Sequence, residues 1–302
     1  MSGRVVRVLH LSDIHCGRSF VPQHIAAAER LAAALSFDAI AVSGDLTQRA
    51  REPEFRNARV VLDRFHAIAP LIVVPGNHDV QWWRAPFGIG SRAGIHERYC
   101  ALVSAETEPT LHVPGVSLIG MNSAAGMLPE ALSWYPRHWR VKGGVTAAQL
   151  SNAQARVAAS PVDALRILVL HHNVVRGRLS NRWGLTRPQR MLDAIAGMGA
   201  DIVCTGHDHE ERVEVVTRAS GPIVSSTANT LSSRMRGHRP STATVIEADA
   251  AHVTVTVWLF DTAGGEFVAG PVFRAPRGKR PGGGEGTRIP NPLLTPAPVP
   301  VP

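Results

Sequence analysis

The order of apolar segments in the first two hundred residues leaves few folds open. Three β-branched runs, "VVRVLHL" (5–11), "DAIAVS" (38–43) and "PLIVVP" (70–75), are separated by two segments with helical periodicity, "HIAAAERLAAAL" (24–35) and "EPEFRNARVVLDRFHAI" (52–68). This order predicts parallel strands joined by crossover helices, because a tight turn cannot connect a parallel pair. The pattern continues with strands at "VSLIGMN" (116–122), "LRILVLH" (165–171) and "ADIVCTG" (200–206), and with a helix at "TAAQLSNAQARVAA" (146–159). From residue 211 the period shortens. "ERVEVVTR", "GPIVSST", "STATVIEAD", "HVTVTVWLF" and "EFVAGPVFR" are short alternating segments, expected to be mostly antiparallel strands. Two sheets packed face to face with helices outside satisfy both halves.

The polar residues fall where these strands stop. The first run ends in "SDIH", with Asp13 and His15 two residues apart; the second in "SGDLT", with Asp45; the third in "GNHD", with Asn77, His78 and Asp79. The run at 165–171 ends in His171 and His172, and that at 200–206 leads into "GHDH", with His207 and His209. Each pair alone is ordinary turn or cap chemistry. Parallel strands, however, share one carboxyl edge, where ligands bind in α/β sheets. Five strands each deliver Asp, Asn or His to it. Asp13, His15, Asp45, Asn77, one of His171 and His172, His207 and His209 form an oxygen- and nitrogen-rich set without thiolates. Seven donors exceed one ion and suit two divalent ions roughly 3.5–4 Å apart. Imidazole with carboxylate suits Mn, Fe or Zn.

Composition narrows the classes further. With 302 residues, 44% of them hydrophobic, the chain can bury a large core. It contains no apolar run long enough to span a membrane. The start, "MSGRVVRVLHLSD", carries no secretory pattern, and Cys16, Cys100 and Cys204 form no C-x-x-C pair. Reduced thiols and a cytoplasmic address are therefore expected. The net charge of +8 favours anionic ligands, while the lack of a basic helix or basic–aromatic ladder makes a nucleic-acid partner possible but not favoured. Residues 276–302 hold eight Pro and five Gly, so a folded domain is expected over 1–275, followed by a disordered basic tail.

The ordered set "DIH", "GDLTQRA", "GNHD", "LHH" and "GHDH" resembles the calcineurin-like metallophosphoesterase superfamily, and within it the bacterial cyclic-nucleotide phosphodiesterases of class III. The resemblance implies an α/β fold, a four-layer α/β/β/α sandwich of two mixed sheets with flanking helices. It implies that Asp13, His15, Asp45 and His209 hold one divalent ion, and Asp45, Asn77, His171 and His207 a second, with Asp45 as bridge. His171 is preferred to His172 because the family ligand directly follows the apolar run. His78 would then be the catalytic imidazole, charged and facing the leaving group, and Asp79 would accept its second N–H. Two cations would lower the pKa of a shared water and yield hydroxide for in-line attack on a small phosphate ester, possibly a nucleotide.

Three departures shape the substrate expectation. "GDLTQRA" lacks the "GDxxDRG" stretch of protein Ser/Thr phosphatases, which disfavours phosphoprotein substrates. Trp82, Trp83, Trp134, Tyr135 and Trp139 follow site-bearing strand ends and could stack on a base, although many such aromatics simply pack. "HCGRSFVP" has Pro22 where a cysteine phosphatase needs Arg, and "HERYC" ends in Cys100 where a zincin needs His. A phosphodiesterase is thus expected, with a nuclease or phosphomonoesterase of the same superfamily, or a non-catalytic binding protein, as alternatives.

Overall fold

The computed structural model describes residues 4–84, 92–126, 142–237 and 239–277. Its first half follows the predicted order: β1 (Val6–Leu11), α1 (Pro22–Leu35), β2 (Ala39–Val42), α2 (Glu52–His66) and β3 (Leu71–Val73). After α3 (Glu97–Leu102) come β4 (Thr110–Val113), β5 (Val116–Gly120), α4 (Ala147–Ala158), β6 (Leu165–Val169), α5 (Pro188–Ala196) and β7 (Ile202–Thr205). The remainder is strand: β8 (Arg212–Arg218), β9 (Gly221–Thr227), β10 (Thr242–Ala248), β11 (His252–Asp261) and β12 (Glu266–Pro276). Two six-stranded sheets result, in the orders β12-β11-β10-β1-β2-β3 and β4-β5-β6-β7-β9-β8.

The side-chain alternation of each strand builds the layers. Along β1, Val6 and Val8 face the other sheet while Leu9 and Leu11 face the helices; along β2, Ala39 and Ala41 alternate in the same way with Ile40 and Val42. One core lies between the sheets, joining Val8, Ala41 and Ile72 to Leu118, Ile167 and Ile202. A second lies under α1 and α2, where Phe55, Ala58, Leu62 and Phe65 recur at helical spacing. A third holds α4 and α5 against the other sheet through Val157, Leu192, Ile195 and Leu168. Three cores between four layers make the α/β/β/α sandwich of two mixed sheets.

Two details go beyond the sequence expectation. The last five strands, mostly antiparallel as expected, divide between the sheets: β8 and β9 complete the second, while β10, β11 and β12 extend the first through an antiparallel β1–β10 pair. Within the second sheet β9 runs parallel to β7, from Ile202 opposite Val224 to Thr205 opposite Thr227, so its carboxyl end faces the same edge as the polar strand ends. The folded part also extends past residue 275. Pro276 closes β12, and Arg277 binds the carbonyls of Ala251 and Ala164 (through its N–H and guanidinium) and the Asp201 carboxylate at 3.2 Å, tying the two sheets together. Residues 278–302, Trp134, Tyr135 and Trp139 lie outside the described residues. No helix among the described residues is long and apolar enough to cross a membrane.

Candidate metal centre

The polar strand ends meet because adjacent loops are stitched to one another. The segment after β1 runs beside that after β2, with Asp13 N–H donating to the Gly44 carbonyl (3.0 Å) and His15 N–H to that of Asp45 (2.9 Å). Turning the side chains inward from these loops requires unusual backbone. Asp13, His15, Asp45, His207 and His209 all adopt positive φ, between 48° and 72°. Non-glycine residues rarely do so, and five together mark a site where local strain is held by surrounding structure. Gly76, before Asn77, is needed for packing: a Cβ there would lie 2.2 Å from both the Asp45 nitrogen and its Oδ1.

Two cages result. In the first, His209 Nε2 lies 3.1 Å from Asp13 Oδ1 and 3.2 Å from His15 Nε2, and His15 Nε2 lies 3.8 Å from Asp45 Oδ2. In the second, Asn77 Oδ1 lies 2.9 Å from His207 Nδ1 and 3.1 Å from His171 Nε2, which is 3.3 Å from Asp45 Oδ1. The two oxygens of Asp45 therefore point into different cages. His171 rather than His172 reaches Asp45 and Asn77; the His172 Nδ1 is 2.9 Å from the Ser123 hydroxyl.

The protonation pattern tests whether these groups fit cations. His15 Nδ1 faces the Thr47 carbonyl (3.1 Å), His171 Nδ1 the Ser43 carbonyl (2.7 Å), and His209 Nδ1 the Arg234 carbonyl. A carbonyl only accepts, so each Nδ1 carries the hydrogen and each Nε2 is turned into the cage, where it would give its lone pair to an ion. Without one, Asp45 and its neighbours outweigh burial and raise the His171 pKa to about 9, so that its Nε2 holds a proton. Lone pairs and carboxylate oxygens facing one another near 3 Å repel unless positive charge lies between them. Donors bound at about 2.0–2.2 Å around one ion are separated by about 3.0–3.5 Å, close to the 2.9–3.8 Å found here. Burial alone would raise the Asp13 and Asp45 carboxyls, yet the surrounding histidines outweigh it and hold both well below the usual carboxylate range. The residues fit two divalent ions.

His78 and Asp79 depart from the expected pairing. His78 Nδ1 lies 2.7 Å from the Gln48 carbonyl, and its Nε2 lies 3.1 Å from an Arg234 guanidinium nitrogen. Asp79 turns away into the loop: its two oxygens accept the N–H groups of Leu46, Thr47 and Gly76 and the Thr47 hydroxyl, at 2.8–3.1 Å. One turn of 3₁₀ helix over Asn77–Asp79 points successive side chains in different directions, which separates the two. Nor is His78 held charged. Burial lowers its pKa to about 4, with Asp45 opposing, so near neutrality its Nε2 accepts from Arg234.

The cages form the floor of a cleft of about 440 Å³ lined by His78, Asn173, Asn181, Arg182, Trp183, Lys142, Arg234 and Arg236, among others. The sequence did not single out Arg234, Arg236 or Trp183. Of the aromatics it did, Trp82 lines a small neighbouring cavity beside Asn77, and Trp83 is exposed with Arg98 over its ring.

Known structures of the same architecture include a purple acid phosphatase from yellow lupin seeds, with 12% identity and a TM-score of 0.64 over 91% of this chain and 54% of that one. PhoD matches with 10% identity and a TM-score of 0.63 over 92% of this chain and 70% of that one. GAP50, the anchor in the inner membrane complex of Plasmodium, matches with 13% identity and a TM-score of 0.55 over 92% and 90%. The chain spans about half the length of the lupin protein, and these likenesses bear on the fold alone. No curated protein matches the chain. The family model of the calcineurin-like phosphoesterases matches residues 6–211, from β1 to just beyond His209. With every strand end that feeds the two cages inside that span, the chain belongs to the calcineurin-like phosphoesterase family of metal-dependent phosphoesterases.

Proposed function

We propose that the protein hydrolyses small organic phosphodiesters, cyclic nucleotides among them, at a pair of divalent ions. The observation that carries this is the floor of the cleft: two cages of carboxylate, carboxamide and imidazole groups, into each of which Asp45 turns one oxygen, open to a walled space with an indole and two carboxamides. A cleft of this size accepts a small organic ester and recognises what the phosphate carries. Asp13, His15, Asp45 and His209 hold one ion, and Asp45, Asn77, His171 and His207 the other, Mn, Fe or Zn being suited to these donors. Bound there, the pair supplies a nucleophilic oxygen at neutral pH and neutralises the phosphate oxygens.

The remaining roles belong to the chain. Arg234 extends beside the cages and stabilises charge on the phosphate. His78 accepts a hydrogen bond from that guanidinium at Nε2 and fixes its direction, while the Gln48 carbonyl fixes the imidazole. Asp79 holds the backbone that aims Asp45 and Asn77. The preference for diesters comes from the motif set, and three free cysteines fit a reducing, cytoplasmic compartment.

A panel with added Mn²⁺ tests this: 2′,3′- and 3′,5′-cyclic nucleotides, bis(p-nitrophenyl) phosphate, p-nitrophenyl phosphate and single-stranded DNA. Cyclic nucleotides and the chromogenic diester should turn over fastest. Faster monoester cleavage, or DNA cleavage with steep salt dependence, would reassign the substrate; no hydrolysis at all would refute the proposal.

A further inference from the structure

The cleft above the cages carries more positive charge than a single phosphoester needs. Arg234 is committed to His78, and Arg236 to Asp208, whose backbone oxygen and carboxylate lie 2.7 and 3.4 Å from its guanidinium. Lys142 and Arg182 differ. Both line the cleft, both are exposed, and among the described residues neither meets a carboxylate.

Exposed cations are usually just solvated, but this rim is built. Gly143 N–H donates to the Gly184 carbonyl (2.8 Å) and Thr186 N–H to that of Gly143 (2.9 Å), a parallel bridge that brings the Lys142 segment alongside the one carrying Trp183. From below, the Glu210 carboxylate accepts the N–H groups of Arg178 and Leu179, the latter at 2.7 Å. Asp208 accepts the Ser180 hydroxyl at 2.7 Å, and Gly177 packs so closely that an added Cβ would lie 1.7 Å from its Oδ2. Asp208 and Glu210 are only 4% and 3% exposed, so the loop carrying Arg182 and Trp183 is pinned at two buried points. Both carboxylates belong to the "GHDHE" segment that supplies His207 and His209. One loop thus fixes the cage and the rim together.

We propose that Arg182, assisted by Lys142, forms a second anion subsite, and that among nucleotide-sized phosphoesters the cleft binds most tightly those bearing a second anionic group besides the phosphate at the cages. Resting on phosphoesterase chemistry at the cages, the assignment separates the two ends of the ligand. The reacting phosphate meets the ions and Arg234. The distal anion meets the guanidinium of Arg182, whose planar donors suit phosphate or carboxylate. The indole of Trp183 offers a flat face to whatever ring joins them.

Titration calorimetry on the Mn²⁺-loaded full chain decides the matter, with adenosine 3′,5′-bisphosphate and AMP as probes. The wild-type protein should bind the bisphosphate about tenfold tighter than AMP. In Arg182→Ala this ratio should fall to about one, in Lys142→Ala partway, and Arg182→Lys should restore part of it. A wild-type ratio near one, no binding of either probe, or a preference that survives Arg182→Ala with an unchanged melting temperature would overturn the subsite. Phosphoesterase chemistry is read separately, from hydrolysis of bis(p-nitrophenyl) phosphate, which needs no second anion.

Discussion

The floor of the cleft and its rim are made differently. The seven floor residues sit two to four positions past buried strands, five of them adopt forced backbone conformations, and backbone hydrogen bonds hold the neighbouring loops together. Rim residues Lys142, Arg182 and Trp183 stand on long connections, and their positions depend on a bridge between residues 143 and 185 and on two buried carboxylates. A floor so constrained tolerates little change, whereas a rim can vary in side chain without loss of fold. The contrast separates chemistry, fixed by the sheets, from substrate choice, set by the loops.

Substitutions break this comparison in graded ways. Asp79→Asn should have the largest effect, because an NH₂ group would then face backbone N–H donors that the carboxylate now satisfies. A stability loss of roughly 3 kcal/mol, read from denaturant unfolding, is expected together with weaker metal binding. His78→Ala should leave two ions in place yet lower kcat about a hundredfold, since Arg234 loses its orienting partner. Metal analysis beside steady-state kinetics checks both halves of that outcome.

Acid probes the floor without mutation. His10 is fully buried in β1 beside the Ser43 hydroxyl, and burial lowers its pKa to about 4 despite the opposing pull of Asp13. The unfolded chain takes up this proton near the ordinary histidine value of about 6.5, so the stabilisation is complete above that pH and lost as pH falls towards 4. Between pH 7 and pH 5 His10 alone should cost about 2 kcal/mol of stability, measurable by urea unfolding at each pH. His10→Phe should flatten that part of the profile. The smallest effect belongs to the rim. Trp183→Ala should raise KM about fivefold for base-containing substrates, with kcat and melting temperature nearly unchanged. A fall in melting temperature as large as that of Asp79→Asn would erase the distinction between floor and rim.

The same contrast explains what could be read from the residues alone. Asp13, His15, Asp45, Asn77, His171, His207 and His209 were legible because a strand's period and polarity fix where it ends, and parallel strands end on one edge. Arg234 was not. It follows "GPIVSST", and only the parallel pairing of β9 with β7, which the alternating pattern does not specify, turns "SSRMR" towards the site. Basic residues just past a strand were the available signal; strand direction was the missing piece. Trp183 was hidden for another reason, since its place depends on a bridge between segments more than forty residues apart. Asp79 was visible, but its partners depend on how one 3₁₀ turn aims adjacent side chains.

The central claim is that Asp45 joins two cages built to hold a pair of divalent ions. Electron paramagnetic resonance of the Mn²⁺-loaded chain, with the bound metal counted in the same sample, tests it most directly. Two ions per chain with an exchange-coupled spectrum are predicted for the wild type, and at most one ion with an isolated-ion spectrum for Asp45→Ala. An isolated-ion spectrum from the wild-type protein, or coupling that persists without Asp45, would contradict the account.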